Sequence, residues 1–354
     1  VILQSVMENA SQDNLYQIIV FDCGMNASLL EDIKTQIERC ANFTLRIISV
    51  TAWLEKYAYA FEEKWYLTKA TYARLIIPHL CDDYDKVIYA DIDMILNIDI
   101  AELMAIDLDD TYLAAVVDPI KEIERMVKPR QKKYINDILG LQSDMPYINA
   151  GLLVFNIKAW KAYDLTEKCI TLLGKQKLQL LDQDAINCIC RGKITYLEQK
   201  WNCRCIKNSI EDYASQINSC QTAYLHKLVE AWSQAYNAPK SVIHFTGTLK
   251  PWHSTEIEHA SQWWHYCRKT NCYESMLSIA ISKPVYNLLN SAGLNLPCQI
   301  IEYRLFNIAF IKIKIAPDCK RYEFLGMRFA KVVMKDKAKT FYFFGIKTMH
   351  VRRY

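Results

Sequence analysis

Short apolar runs alternate with amphipathic stretches along most of the chain. Gln17–Phe21, Leu45–Val50, Lys86–Ala90, Tyr112–Val117, Gly151–Asn156, Ile194–Leu197 and Val242–Phe245 have the length and apolar content of strands. Ser28–Cys40, Leu67–Leu80, Lys158–Leu173, Asp184–Ile189 and Glu256–Arg268 carry helical spacing. Strands alternating with helices predict an α/β domain with a mainly parallel sheet. Ligands of such sheets sit beyond the carboxyl ends of the strands, so polar residues there come first. Val1–Asn9 reads as the back half of an amphipathic helix with no start signal before it. The sequence is therefore expected to begin inside an element.

After about residue 270 the texture changes. Pro284, Pro297 and Pro317 punctuate the chain, and aromatics mix with Lys and Arg through to Tyr354. The expected division is 1–268 and 269–354. Charge sharpens it. The net charge of +4 over 354 residues hides a split, since residues 301–354 hold 13 Lys/Arg against 4 Asp/Glu, a balance of +9. Such a tail suits an anionic surface. Nucleic acid is not the expected partner, because the basic excess sits in one aromatic-rich end. Hydrophobic residues at 51% exclude disorder as an overall description. No apolar run reaches the ~18 residues of a spanning helix, and no secretory signal is visible. The 13 cysteines form no CxxC pair; Cys188-x-Cys190 and Cys203-x-Cys205 are not zinc spacings. They read as small buried hydrophobes in a reducing cytosol.

Five motifs can carry chemistry. Asp91-Ile-Asp93 follows the strand Val87–Ala90, and carboxylates at i and i+2 can converge on one hard cation. A surface acidic pair is the plainer alternative, but both acids interrupt an apolar stretch, where an unpaired carboxylate is costly. His244-Phe-Thr-Gly-Thr-Leu-Lys-Pro-Trp252 also follows a strand. Its imidazole can complete a Mn²⁺ site, Gly247 permits close backbone approach, and Lys250 can meet a phosphate; a core histidine and a solvated lysine are the alternative. Ile148-Asn-Ala-Gly151 leaves room at a strand start, or is a tight turn, with Asn149 able to donate and accept. In Leu181-Asp-Gln-Asp184, Asp182 is expected as an N-cap and Asp184 suits the positive helix end, while Gln183 has no structural excuse. Arg74 lies in an apolar helix and needs a polar partner, from the protein or from a ligand.

These pieces occur in a familiar order: strand then DxD, NAG then an apolar run, L-DQD, and HFTG-x-x-KPW. With Tyr72-Ala-Arg74, Asp118-Pro119 and Trp201-Asn202, residues 1–265 resemble the family 8 glycosyltransferases, within them the bacterial lipopolysaccharide glucosyl- and galactosyltransferases. The resemblance implies a GT-A fold (a mixed sheet flanked by helices), with a basic, aromatic C-terminal extension. It also implies a UDP-hexose donor, a divalent cation (Mn²⁺, with Mg²⁺ the alternative) and retention at the anomeric carbon. It implies Asp91, Asp93 and His244 as metal ligands. Arg74, Asp91, Ile92, Asn149, Ala150, Gly151, Asp182, Gln183, His244, Gly247 and Lys250 would line the donor, with Gln183 and Asp182 at the reacting face. UDP-glucose or UDP-galactose and a lipopolysaccharide-core acceptor would be the partners. The expected location is cytoplasmic, with the tail on the inner face of the membrane. The family's first strand, which holds the uridine, is expected upstream of Val1. Two rivals stand beside this reading. One is a non-catalytic relative that binds a glycan or partner. The other is a glycogenin-like transferase with a soluble or self acceptor.

Overall fold

A computed structural model describes residues 1–63, 68–205, 210–217, 223–248, 250–254 and 257–281, together with the backbone of six strands between 299 and 352. The chain divides into two units, Val1–Leu277 and Ser278–Tyr354.

The first unit is built on β1 (Tyr16–Asp22), β2 (Phe43–Ser49), β3 (Lys86–Ala90), β4 (Met94–Leu96), β5 (Leu113–Val117), β6 (Ile148–Asn156), β7 (Ile194–Leu197), β8 (Cys203–Cys205) and β9 (Val242–Phe245). They form three sheets, ordered β1-β2, β3-β6-β5-β7 and β4-β9-β8. Alternate residues of β5 and β6 serve two cores. Leu113, Ala115, Leu153 and Phe155 pack on one side with Trp160 and Ile186. Ala114, Val116, Leu152 and Val154 pack on the other with Met94 and Trp201. Burial on both faces explains why these strands read as continuous apolar runs.

The sheet is less parallel than the sequence predicts. β6 lies antiparallel to both β3 and β5, and in that sheet only β5–β7 is parallel. β3 and β5 do run the same way, but β6 separates them. Ile148–Gly151 is not a turn before a strand; it is part of β6. The β5–β6 register jumps from Ala115↔Leu153 to Val116↔Asn149, so Ala150–Leu152 bulge out of that ladder. Their other side stays tied to β3, through Ala90↔Leu152 and the bond from Asp91 N to Gly151 O at 2.7 Å.

Three helices also differ from expectation. Within the predicted Leu67–Leu80 helix, Leu67 lies outside the described residues. Lys69–Ile76 is a 3₁₀ run followed by a short α-turn, Ile77–Leu80. Pro78 has no N–H for an i→i−4 bond, which favours the tighter winding. Lys158–Leu173 is two helices, Ile157–Ala162 and Leu165–Lys175, broken by Asp164 at φ 52°. Asp182 is not an N-cap: the helix is Leu181–Cys190 with Leu180 at its cap, and the Asp182 carboxylate turns to Arg74. Of the predicted Glu256–Arg268 helix, Ala260–Cys267 is helical, and Glu256 lies outside the described residues.

β1 and β3 are not hydrogen-bonded to each other. Residues 16–21 and 86–90 both line one cavity of about 1800 Å³, which continues to the ends of β3 and β9. Among the described residues, no disulfide joins the ten cysteines, and Cys190, Cys203 and Cys205 are buried while Cys188 is half-buried. No described helix is long and apolar enough to cross a membrane.

The second unit is an antiparallel meander of β10 (Gln299–Leu305), β11 (Ile308–Ala316), β12 (Cys319–Phe324), β13 (Met327–Lys335), β14 (Ala338–Phe343) and β15 (Ile346–Arg352). One line across it runs Lys314↔Arg321↔Lys331↔Tyr342↔Lys347. The next runs Ile313↔Tyr322↔Ala330↔Phe343↔Ile346. Four of the five positions on the first line are cationic and none on the second.

Candidate active site

Asp91 and Asp93 leave the carboxyl end of β3, and His244 lies on β9. One ligand atom from each falls within 4.8 Å of the others. His244 Nε2 is 3.2 Å from Asp93 Oδ1 and 3.7 Å from Asp91 Oδ2. The spacing seen in the sequence therefore becomes a cluster because β4 pairs antiparallel with β9, setting Met94 opposite His244.

A chain of amides fixes the imidazole. The backbone N–H of Gly151 donates to Asn149 Oδ1 at 2.9 Å, which identifies that atom as the oxygen. Asn202 must then present Nδ2 to it, at 2.8 Å, leaving its own oxygen 2.9 Å from His244 Nδ1. Nδ1 therefore carries a proton whatever the charge of the ring, and Nε2, on the side of Asp93, is the nitrogen left to meet a cation. Two carboxylates and one such imidazole are a donor set suited to Mn²⁺ or Mg²⁺.

The charges around this cluster nearly all have partners. Arg74 is buried, with Nη2 3.0 Å from Asp91 Oδ1 and Nε 2.9 Å from Asp182 Oδ2. The Nε–H itself points at Thr71 O, so the Asp182 contact is ionic rather than a hydrogen bond. Nη1 donates to Ala150 O, and the guanidinium lies 4.6 Å over the Tyr89 ring, whose hydroxyl donates to Asp91. Lys250 donates to Asp93 and, at 2.5 Å, to Phe245 O. Burial alone would raise the Asp93 carboxyl; His244 and Lys250 outweigh it and hold it below the usual range. Asp182 goes the other way, pushed up to about 6 by burial, with Arg74 opposing and Asp91 adding to the rise.

Gln183 lines the cavity with its amide bonded on both sides, Oε1 accepting from Ala150 N at 3.0 Å and Nε2 donating to Tyr147 Oη at 3.1 Å. Gly247 sits at the cavity wall with φ 78° and open space around it. Ile92 is 85% exposed between the two aspartates. All the residues singled out in the sequence reach this region, though Ala150 and Gly151 border it through backbone bonds to Arg74, Gln183, Asn149 and Asp91 rather than as cavity wall. Two groups escaped residue-level reading. Asn202 entered only as part of Trp201-Asn202, although a fully buried Asn before Cys203 is a signal in itself. The Asp118–Arg204 pair, 2.5 Å apart at the cavity wall, joins residues 86 apart and has no local pattern.

The family model "Glycosyl transferase family 8" matches residues 1–256. The lipopolysaccharide 1,3-galactosyltransferase of Salmonella typhimurium is 27% identical over 64% of this chain and 65% of its own length. The lipopolysaccharide 1,2-glucosyltransferase of Escherichia coli is 28% identical over 48% of this chain and 45% of its own. The chain thus spans less than two thirds of each of these relatives. Among solved structures, the galactosyltransferase LgtC in complex with donor and acceptor sugar analogues superposes with a TM-score of 0.61 at 22% identity, covering 76% of this chain and 90% of that one. That likeness identifies the fold as GT-A. Taken with the match across residues 1–256, it makes this chain a member of glycosyl transferase family 8.

Proposed function

We propose that the chain moves a hexose from UDP-glucose or UDP-galactose to a glycan acceptor of the lipopolysaccharide-core type, with retention and with Mn²⁺ (or Mg²⁺) at Asp91, Asp93 and His244. The observation that carries this is the meeting of that donor set with the Gln183 amide on one cavity. The cation would supply Lewis-acid stabilisation of the departing diphosphate. The chain's own groups do the rest. Arg74 holds Asp91 in place. Lys250, at the cavity wall, can turn from Asp93 to a phosphate oxygen, and Gly247 lets backbone approach the same group. Asp182 is buried with its carboxylate engaged by Arg74, and an amide is a poor nucleophile. Both facts support attack by the acceptor hydroxyl on the face the diphosphate leaves, rather than a covalent sugar on the enzyme.

The second unit supports an acceptor held at a membrane. Lys314, Arg321 and Lys331 follow one another across three paired strands. Like charges set directly opposite destabilise a sheet unless something anionic meets them. A phospholipid surface on the cytoplasmic side would do so. Flotation on anionic and neutral vesicles tests it: binding to both alike, or to neither, rejects the membrane role.

The donor reading is tested by thermal shift with UDP-glucose, UDP-galactose and UDP-N-acetylglucosamine, each with and without Mn²⁺. The expected result is a shift that needs both cation and UDP-hexose; equal shifts without cation would overturn it.

A further inference from the structure

Gln183 is held by a group that the reaction itself does not require. Tyr147 is fully buried, and its hydroxyl donates to Asp184 Oδ1 at 2.5 Å. Asp184, also buried, accepts in addition from Tyr134 Oη and from Leu180 N, each at 2.7 Å. The single proton of Tyr147 is therefore committed to the carboxylate. Its oxygen can only accept, and the donor it accepts from is Gln183 Nε2.

This decides which way the Gln183 amide faces. In the observed orientation Oε1 meets the Ala150 N–H and Nε2 meets a lone pair of Tyr147. Turned over, the oxygen would face an oxygen with no proton to share, and the NH₂ would face the Ala150 N–H. Both bonds would become repulsions, so one orientation prevails. One N–H of Nε2 and one lone pair of Oε1 remain for a ligand in the cavity. Asn187 secures the rest: its side chain accepts from Ile148 N, and donates to Ile148 O and to Gln183 O. The helix carrying Gln183 is thereby tied to β6.

We propose that Tyr147 is a positioning residue that, polarised by Asp184, locks the Gln183 amide in one orientation toward the sugar. The inference rests on the transferase reading for its kinetic arm only. The test compares Tyr147→Phe with Tyr134→Phe. Both remove a hydroxyl from Asp184, but only the first frees Gln183. Tyr147→Phe is expected to lower kcat by roughly tenfold or more with the donor KM within about threefold, as misplacement of a reacting group does, while Tyr134→Phe stays within about threefold of the parent. The second readout is the side-chain NH₂ of Gln183 by ¹⁵N NMR, assigned by its loss in Gln183→Glu. The two protons should be widely separated in shift and slow to exchange in the parent and in Tyr134→Phe, and should collapse together in Tyr147→Phe. A Tyr147→Phe spectrum with Gln183 still locked, or equal kinetic losses in the two variants, would overturn the proposal. If the parent transfers no hexose, the function reading fails while the NMR arm still decides the lock.

Discussion

A Cβ added to Gly151 would lie 2.3 Å from Cε1 of His244 and 2.8 Å from Cε of Met94. Glycine at this position is therefore a condition for the imidazole to stand where it does. The requirement is steric contact and not backbone conformation, since the bulge of β6 presses Gly151 against β9.

Gly151→Ala should displace His244 and weaken the cation site by tenfold or more. The folded chain should lose about 1–3 kcal/mol, as overpacked sites do. Calorimetric Mn²⁺ titration beside chemical denaturation reads both, and unchanged Mn²⁺ affinity would reject the steric argument.

Asn202→Leu removes the acceptor that sets the His244 tautomer while keeping bulk. Cation affinity should fall roughly 10–100-fold, the usual effect of losing a partner behind a ligating histidine. The fold should survive, because Asn149 keeps its bond from Gly151 N. Affinity within twofold of the parent would mean the imidazole needs no such partner.

Asp182 gives a pH dependence with a definite sign. Its carboxyl is raised from 3.8 to about 6 in the folded chain, chiefly by burial. The folded state thus binds this proton more tightly than the unfolded state. Its contribution favours folding at low pH and is lost as pH rises from about 4 to about 6. Asp182→Asn should flatten that part of the stability curve, read by urea midpoints at steps between pH 4 and 7. An identical slope in parent and variant would remove Asp182 as its source.

Asp91→Asn halves the carboxylate charge at the cation site and breaks the ion pair to Arg74. Hexose transfer should fall by roughly 100-fold or more, since an electrostatic group at the departing charge is worth that much. Transfer within a few-fold of the parent would end the metal role assigned to Asp91.

Much of this site was legible because strand ends are punctuated. Asp91, Asp93 and His244 break apolar runs at the points where β3 ends and β9 carries the imidazole, so their chemistry shows against the background. Arg74 was conspicuous for the same reason, though its helix proved to be a 3₁₀ run that Pro78 helps to explain. Other features depend on contacts between segments distant in sequence. Nothing local announces that β6 runs against β3 and β5, that Asp182 would forgo a cap for an ion pair, or that Tyr147 reaches Gln183 across 36 residues. The amide chain from Gly151 to His244 is equally hidden, because its three side chains come from β6, the turn before β8, and β9.

The separation of β1 from β3 has a consequence for how this chain behaves in concentrated solution. Among the described residues β1 pairs with β2 alone and β3 with β6 alone, so each keeps one edge that no strand takes up. At about 1800 Å³ that cavity exceeds the ~300–1,000 Å³ of ordinary ligand pockets. An unpaired strand edge is a template onto which an extended peptide can zip, and neighbouring molecules are a ready source of one. Self-association of this 354-residue chain is thus expected to respond to its free backbone edges as well as to its charge.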